Sequence, residues 1–251
     1  IFHQPENNFT LQIGCGKTIA KLTNIKTINN FRSLDVSLGG QGAPLVPIGD
    51  LLLFNKYKYC LNLGGFANLS IKEKNQIRAF DICPVNIVAN NLAQREGMLY
   101  DDNGNIGERG KIIPKILTKL NKLNFYNTPS PKSLSREWVT RFIKPILSDK
   151  YQTEDLLHTL YEHIAIQIGK ELKNKSCLVT GGGAFNKFLI SKIKHYSKAK
   201  IIIPEDKIVN FKEALIFGFL GVLKEMGEIN CLKKVTGAKK DNSGGVIHIP
   251  N

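Results

Sequence analysis

The sequence of 251 residues is poor in arginine, in acidic groups, in tryptophan and in long apolar runs. Of its 35 basic residues 29 are Lys and 6 are Arg, and 21 acidic residues oppose them, leaving a formal charge of +14. A surface that reads phosphates or bases tends to use Arg forks with interleaved aromatics. Here the densest basic run, Lys233-Lys234 with Lys239-Lys240, lies in a Gly/Ser-rich tail without aromatics. The charge reads as a solvated lysine background, and no nucleic-acid partner is expected. The longest apolar run, Ala214 to Leu223, is about half the roughly 20 residues needed to span a bilayer, so no membrane partner is expected either. Ile1–Asn8 has neither the basic start nor the apolar core of a secretory signal, and Ile1 stands where an initiator methionine is usual.

CxxC spacing is also missing. The five cysteines (Cys15, Cys60, Cys83, Cys177, Cys231) are odd in number and far apart, which argues against a zinc or thioredoxin motif. His158 and His163 are five apart and do not form an i,i+4 metal pair, so no metal-ligating residues are assigned. Cys60 and Cys177 sit in apolar strand-like runs and read as buried free thiols, which suits a reducing cytoplasm.

What is present is a folded composition, 42% hydrophobic and 22% charged. Two stretches share one plan. The first runs strand (Thr10–Ile13), Gly14-Cys15-Gly16, helix (Lys17–Thr23), strand (Lys26–Phe31), loop, helix (Pro44–Phe54). The second runs strand (Cys177–Thr180), Gly181-Gly182-Gly183, helix (Asn186–His195), strand (Lys200–Ile203), loop, helix (Phe211–Met226). The alternation predicts an α/β fold with parallel sheet, and its recurrence predicts two related halves. A three-strand segment precedes the second stretch: Tyr59–Leu63, Ala67–Lys72 and Ile77–Phe80, with turns at Gly64-Gly65 and Lys74-Asn75-Gln76. The expected domains are residues 1–57, 58–234 with a helical insertion, and a C-terminal tail, 235–251. The first half lacks a three-strand segment of its own. With Ile1 in first place, this leads us to expect a fragment whose N-terminal portion, on the order of a hundred residues, is absent.

Three glycine motifs invite nucleotide readings. Gly14-Cys15-Gly16-Lys17-Thr18 contains the GKT of a phosphate loop, but Leu11 stands where the loop's first glycine belongs, so the motif is a decoy. Gly181-Gly182-Gly183 lies between a strand and a helix, where backbone can admit a flat ligand or a phosphate. Gly64-Gly65 is either a plain turn or a nest of N–H groups. The most unusual segment is the loop Asn30–Pro47. It leaves a strand end with Arg32 and Asp35 and continues through Gly39-Gly40-Gln41-Gly42 to Pro44, which is expected in the first turn of the next helix. An Arg32–Asp35 pair could merely stabilise the loop. So many special residues in one loop favour a carboxylate base beside a glycine platform.

The run Asp35–Leu45 resembles the signature of the anhydro-N-acetylmuramic acid kinase family. The resemblance extends through Thr10–Gly14, Leu61–Asn68, Phe80-Asp81, Pro131-Lys132-Ser133 with Arg136-Glu137, Gly181–Asn186, Glu213-Ala214 and Val235–Ala238. It implies an actin-like ATPase fold, two ribonuclease-H-like domains around a cleft, with the N-terminal part of the first missing here. It also implies that ATP and Mg2+ are used to open the 1,6-anhydro ring of anhydro-N-acetylmuramic acid and to phosphorylate its 6-hydroxyl, in peptidoglycan recycling. Asp35 would be the general base. Gly64, Gly65, Asn68, Asp81, Gly181, Gly182, Gly183 and Asn186 would bind nucleotide and phosphate, and Arg32, Gly39, Gly40 and Glu213 would bind the sugar. A cytoplasmic homodimer is implied as well. The chain departs from the family pattern at Cys15, Cys83 and Val85, where Asp, Gly and Gly are common. The alternative is therefore a divergent nucleotide-binding relative without sugar kinase activity. The family's first phosphate hairpin would lie before Ile1, so the chain as given is expected to be inactive and its full-length parent active.

Overall fold

A computed structural model describes residues 2–250 except Asn75, Pro131 and Ser148, with the side chains of Phe2 and His3 also left aside. The centre of the expected Lys74–Gln76 turn and the first residue of the Pro131-Lys132-Ser133 motif therefore lie outside the described residues. Contacts divide the chain into two units. Unit 1 is Ile1–Asn55, Lys72–Arg78 and Phe211–Asn251, and unit 2 is Lys56–Ile71 with Ala79–Asn210. The stretch 211–234, which the sequence reading places in the second domain, and the tail 235–251 both belong to unit 1.

Unit 2 is built on a five-stranded sheet. Numbering strands along the chain as β1 (Phe2–Gln4), β2 (Phe9–Leu11), β3 (Thr27–Asn29), β4 (Tyr59–Leu63), β5 (Phe66–Glu73), β6 (Gln76–Pro84), β7 (Ser176–Thr180), β8 (Lys200–Ile202) and β9 (Val246–His248), its order is β6-β5-β4-β7-β8. β4 pairs antiparallel with β5 and parallel with β7, and β7 is parallel to β8. Counted within the sheet this is 3-2-1-4-5, the ribonuclease-H-like order, the unit from which the expected actin-like ATPase fold is made. The central strands are buried on both faces, so they read as continuous apolar runs. The helix Thr153–Glu171 buries Leu156, Leu157, Leu160, Ile164 and Ile168 at helical spacing into the same core. His163, inside this helix, is 0% exposed, and its ring lies between Asn121 Oδ1 (2.7 Å) and the Tyr126 hydroxyl (2.9 Å).

Unit 1 departs from the expected parallel sheet. β1 and β2 form an antiparallel ribbon, and β3 pairs antiparallel with β9 rather than with β2. Strands of three residues present few ladder bonds, and the partner is set by which segment reaches them, here one from the far end of the chain. The C-terminal tail thus contributes a strand. A second core packs Leu45, the N-cap of the helix Val46–Leu53, and Ile48 within it against Ile216, Leu220 and Leu223 of the helix Asp206–Glu225. Close packing leaves no room for a side chain at Gly49, where a Cβ would lie 2.5 Å from Ile216. Beside this core Lys212 Nζ and Asp50 Oδ1 form a buried ion pair at 2.9 Å. Pro44 is not in the helix as expected: it follows a cis bond in the loop, and Pro47 occupies the first turn, where its missing N–H costs nothing.

Candidate functional site

Asp35 lies in the short helix Ser33–Ser37 and is 0% exposed. A buried carboxylate must be matched by donors, and four converge on it. Oδ2 accepts from the Gly42 N–H at 2.8 Å. Oδ1 accepts from Thr236 Oγ1 at 2.8 Å, Asn242 Nδ2 at 3.0 Å and Cys231 Sγ at 3.0 Å. Burial and the neighbouring Asp35 push the Cys231 thiol up to about 12, so it keeps its proton and remains a donor. Asn242 Oδ1, also buried, has no hydrogen-bond partner among the described residues, which leaves an acceptor open next to the carboxylate.

The loop around Asp35 is stitched to the C-terminal stretch by backbone. Gln41 N–H donates to Thr236 C=O at 2.8 Å and Lys239 N–H to Leu38 C=O at 3.0 Å. Gly39 (φ +83°) and Gly42 (φ +63°) take left-handed conformations that favour glycine, and a Cβ on Gly40 would strike the Asp35 carboxylate. Arg32 does not pair with Asp35 among the described residues. Instead the two grip one peptide from both sides, Arg32 Nη1 donating to Gly42 C=O at 2.7 Å while Asp35 takes its N–H. Arg32 also lies over the Phe217 ring at 5.6 Å. Burial pulls its guanidinium down from the usual arginine range, and Glu213, exposed on the helix Asp206–Glu225, opposes that shift. Cys231, Thr236 and Asn242 were not singled out in the sequence for any role. Their one legible signal is that Thr236 belongs to the Val235–Ala238 match.

In unit 2 the glycine turn after β7 passes close to the end of β4. A Cβ on Gly181 (φ +82°) would lie 2.9 Å from Leu63 C=O, and one on Gly183 would lie 2.8 Å from Leu63 Cβ. Those two glycines are required by packing within the sheet. Gly182 is exposed, with its nearest neighbour, Asn86, 3.6 Å away, and is the open one of the three. Asn186 is the N-cap of the helix Lys187–Tyr196, its Oδ1 accepting from Leu189 N–H at 2.8 Å. The Gly64-Gly65 tip points its carbonyls at the helix Asn86–Ala93, Gly65 C=O accepting from Val85 and Ile87 and Gly64 C=O from Asn86. Neither glycine has a positive φ, and the space above Gly65 is free to 3.8 Å.

Asp81 and Asn68 meet each other, Asn68 Nδ2 donating to Asp81 Oδ1. The other carboxylate oxygen accepts from Leu134 N–H at 2.7 Å, and Asp81 N–H reaches Lys132 C=O at 3.0 Å. Burial raises the Asp81 carboxyl above its ordinary value, and the hydrogen bonds from Leu134 and Asn68 work against that. Asp81 therefore ties the loop containing Lys132 and Leu134 to β6. Cys83 and Val85, two of the departures, are 0% exposed and fill the core. Cys15, the third, is exposed, and hydrogen bonding from Thr18 at the start of the helix Gly16–Thr23 lowers its thiol. That helix begins directly at Gly16, which leaves no loop to wrap a phosphate. Cys60 and Cys177 are buried free thiols, as expected. Among the described residues no group of three or more His, Cys, Asp or Glu could hold a metal ion, and no helix is long and apolar enough to cross a membrane.

The family model described as anhydro-N-acetylmuramic acid kinase matches residues 1–250. An anhydro-N-acetylmuramic acid kinase of Aliivibrio fischeri is 34% identical over 275 residues, an alignment that covers 100% of this chain and 73% of the relative. One from Bacillus cereus strain Q1 is 33% identical over 280 residues with the same coverage. Among solved structures, the activator of the 2-hydroxyisocaproyl-CoA dehydratase from Clostridium difficile with bound ADPNP matches 68% of this chain and 62% of its own, at 15% identity and a TM-score of 0.42, too low to carry an argument. With the family model spanning all but one residue, the chain belongs to the anhydro-N-acetylmuramic acid kinase family.

Proposed function

We propose that the protein is an ATP-dependent sugar kinase that opens the anhydro ring of anhydro-N-acetylmuramic acid and phosphorylates the freed 6-hydroxyl, giving N-acetylmuramic acid 6-phosphate for peptidoglycan recycling. The observation that carries the reading is the Asp35 carboxylate, held by four convergent donors within a family of kinases. Three of those donors meet at Oδ1. Oδ2 accepts from Gly42 alone among the described residues, so it is the oxygen with capacity to take a proton. In this reading the glycine-rich loop opens to let water reach Oδ2, and Asp35 removes its proton as the water attacks the anomeric carbon. The anomeric carbon–O6 bond breaks, and O6 becomes the phosphoryl acceptor. Asn242 Oδ1 would accept from a hydroxyl of the incoming molecule. Arg32, Gly39, Gly40 and Glu213 serve the sugar side, while Gly64, Gly65, Asn68, Asp81, Gly182 and Asn186 serve the nucleotide side, with Gly181 and Gly183 shaping its backbone.

ATP fits the second group physically. Gly182 and Gly65 leave room for a ligand to approach backbone, and the helix beginning at Lys187 offers a positive end to phosphate. Mg2+ would supply charge neutralisation on the phosphates, held mainly by them with one or two carboxylates besides. The same reading places a homodimer in the cytoplasm, where its five cysteines stay reduced.

Full burial of Asp35 also favours a second reading, in which the carboxylate only organises its loop and the protein binds nucleotide without phosphorylating sugar. One assay separates them. Protein expressed from the complete gene is mixed with ATP, Mg2+ and anhydro-N-acetylmuramic acid, and sugar phosphate is measured. Product formation supports the kinase. A folded protein that binds nucleotide and forms none removes that reading.

A further inference from the structure

A pocket of about 450 Å³ in unit 2 serves none of the roles above. Its floor is apolar: Val88, Leu92, Val139 and Leu147 are each less than a tenth exposed yet line it. One wall is the helix Asn86–Ala93, which also presents Asn91. The other is the segment that begins at Arg136 and continues as the wide turn Val139–Ile143, a π-helix. Such turns are rare and recur at functional sites. Arg136 belongs to the Arg136-Glu137 part of the family match, which the reaction above leaves unused.

The rim carries three cations, Arg95, Arg136 and Lys144, against one carboxylate, Asp149. That carboxylate is already taken by Arg95 at 2.7 Å. Among the described residues neither Arg136 nor Lys144 has a carboxylate within ion-pairing distance. Glu137, next in sequence, is hydrogen-bonded to its own backbone N–H and Ser135 at the start of the short helix, and feels the charge of Arg136 without forming an ion pair with it. Thr140 and Asn91 add neutral polar groups. A pocket with an apolar floor, two cations outside any ion pair among the described residues and a few neutral polar groups matches a small organic anion, with its charge at the rim and its ring or chain on the floor.

We propose that this pocket is a binding site for a small organic anion, a carboxylate or phosphate ester on an apolar body, held by Arg136 and Lys144. The site stands independently of the kinase reading. The volume suits a ligand of one or two rings, and a single-ring probe of this size should bind with a dissociation constant of about 1 mM.

The test is an amide chemical-shift titration of the labelled protein, in which Trp138, the one tryptophan in the sequence, gives a single indole reporter two residues from Arg136. Phenyl phosphate and benzoate are titrated separately, with benzyl alcohol as the neutral control. Saturable shifts are expected at Asn91, Val139, Thr140 and the Trp138 indole with at least one anion, and none with the alcohol. The stronger of the two anions identifies the headgroup. The double variant Arg136→Gln/Lys144→Gln should weaken binding by at least about tenfold, the loss of one charge-assisted hydrogen bond. Saturation by neither anion, equal binding of the alcohol, or unchanged affinity in a folded double variant would each overturn the proposal. Should the variant fail to fold, the three wild-type titrations decide alone.

Discussion

Replacing Asp35 by Asn is the most informative single perturbation of this molecule. It removes one buried charge and turns one carboxylate oxygen into an NH2 donor. The amide oxygen belongs where Thr236, Asn242 and Cys231 converge, so the new NH2 faces the Gly42 N–H, donor against donor. One hydrogen bond to a charged group is lost, worth about 1.5–3 kcal/mol, and the other three weaken because their acceptor is no longer ionised. Relaxation of the glycine loop recovers part of this, and a net loss of about 3 kcal/mol is expected. Urea unfolding followed by circular dichroism should show a lower midpoint at unchanged slope. Turnover, with protein from the complete gene, should fall by at least about a hundredfold, since a general base contributes 10²–10⁴. Nucleotide affinity by calorimetry should stay within about twofold, a change of only about 0.4 kcal/mol. A midpoint within error of wild type would refute the donor network as a source of stability. Undiminished turnover would refute Asp35 as the base even if stability fell as expected.

Other expectations follow from separate features. Lys212→Met leaves Asp50 buried without its partner and should cost about 3–5 kcal/mol in urea unfolding; a loss under about 1 kcal/mol would mean that water reaches the pair. Burial holds the His163 imidazole down at about 3, against an ordinary value of 6.5, so the folded protein keeps it neutral. Its contribution is full above pH 6.5 and is lost as pH falls from there toward 3, because only the unfolded chain takes the proton. A His163→Gln variant should therefore show a flatter stability profile across that window, and parallel profiles would contradict the assignment. Thiol titration of native protein should report Cys15 alone as fast-reacting and the other four cysteines only after unfolding. Gly181→Ala meets both a positive φ and the Leu63 carbonyl, and a variant as stable as wild type would show that the turn can shift.

The strand–turn patterns of unit 2 were legible because its central strands, Tyr59–Leu63 and Ser176–Thr180, are short apolar runs ended by glycine, and the Tyr59–Leu63 strand matches the expected range residue for residue. Unit 1 was harder to read. A local strand–helix–strand pattern suggests a parallel pair, but nothing local to Thr27–Asn29 signals that Val246–His248 is its partner. The candidate site divides the same way. Asp35 and its glycines stood out because several special residues crowd one loop. Thr236 and Asn242 did not, because a residue that donates one hydrogen bond across the fold leaves no periodic trace. The triple glycine shows a third case. Its composition suggested ligand approach throughout, whereas two of the three glycines answer to Leu63 and only Gly182 is open.

The antiparallel pairing of β3 with β9 has a consequence for biosynthesis. Three of the four donors to Asp35 follow it by 196, 201 and 207 residues. Translation delivers residues 1–55 before unit 2 and residues 211–251 after it. Unit 2 can thus close on the ribosome while the early part of unit 1 still waits for its partners. Contacts of such long separation make that half the slow step of folding. Until the polypeptide has been made through Asn242, Asp35 remains a carboxylate without its full set of donors and has reason to stay in water. The candidate catalytic centre is therefore assembled only after unit 2 has been made, when its distant donors emerge.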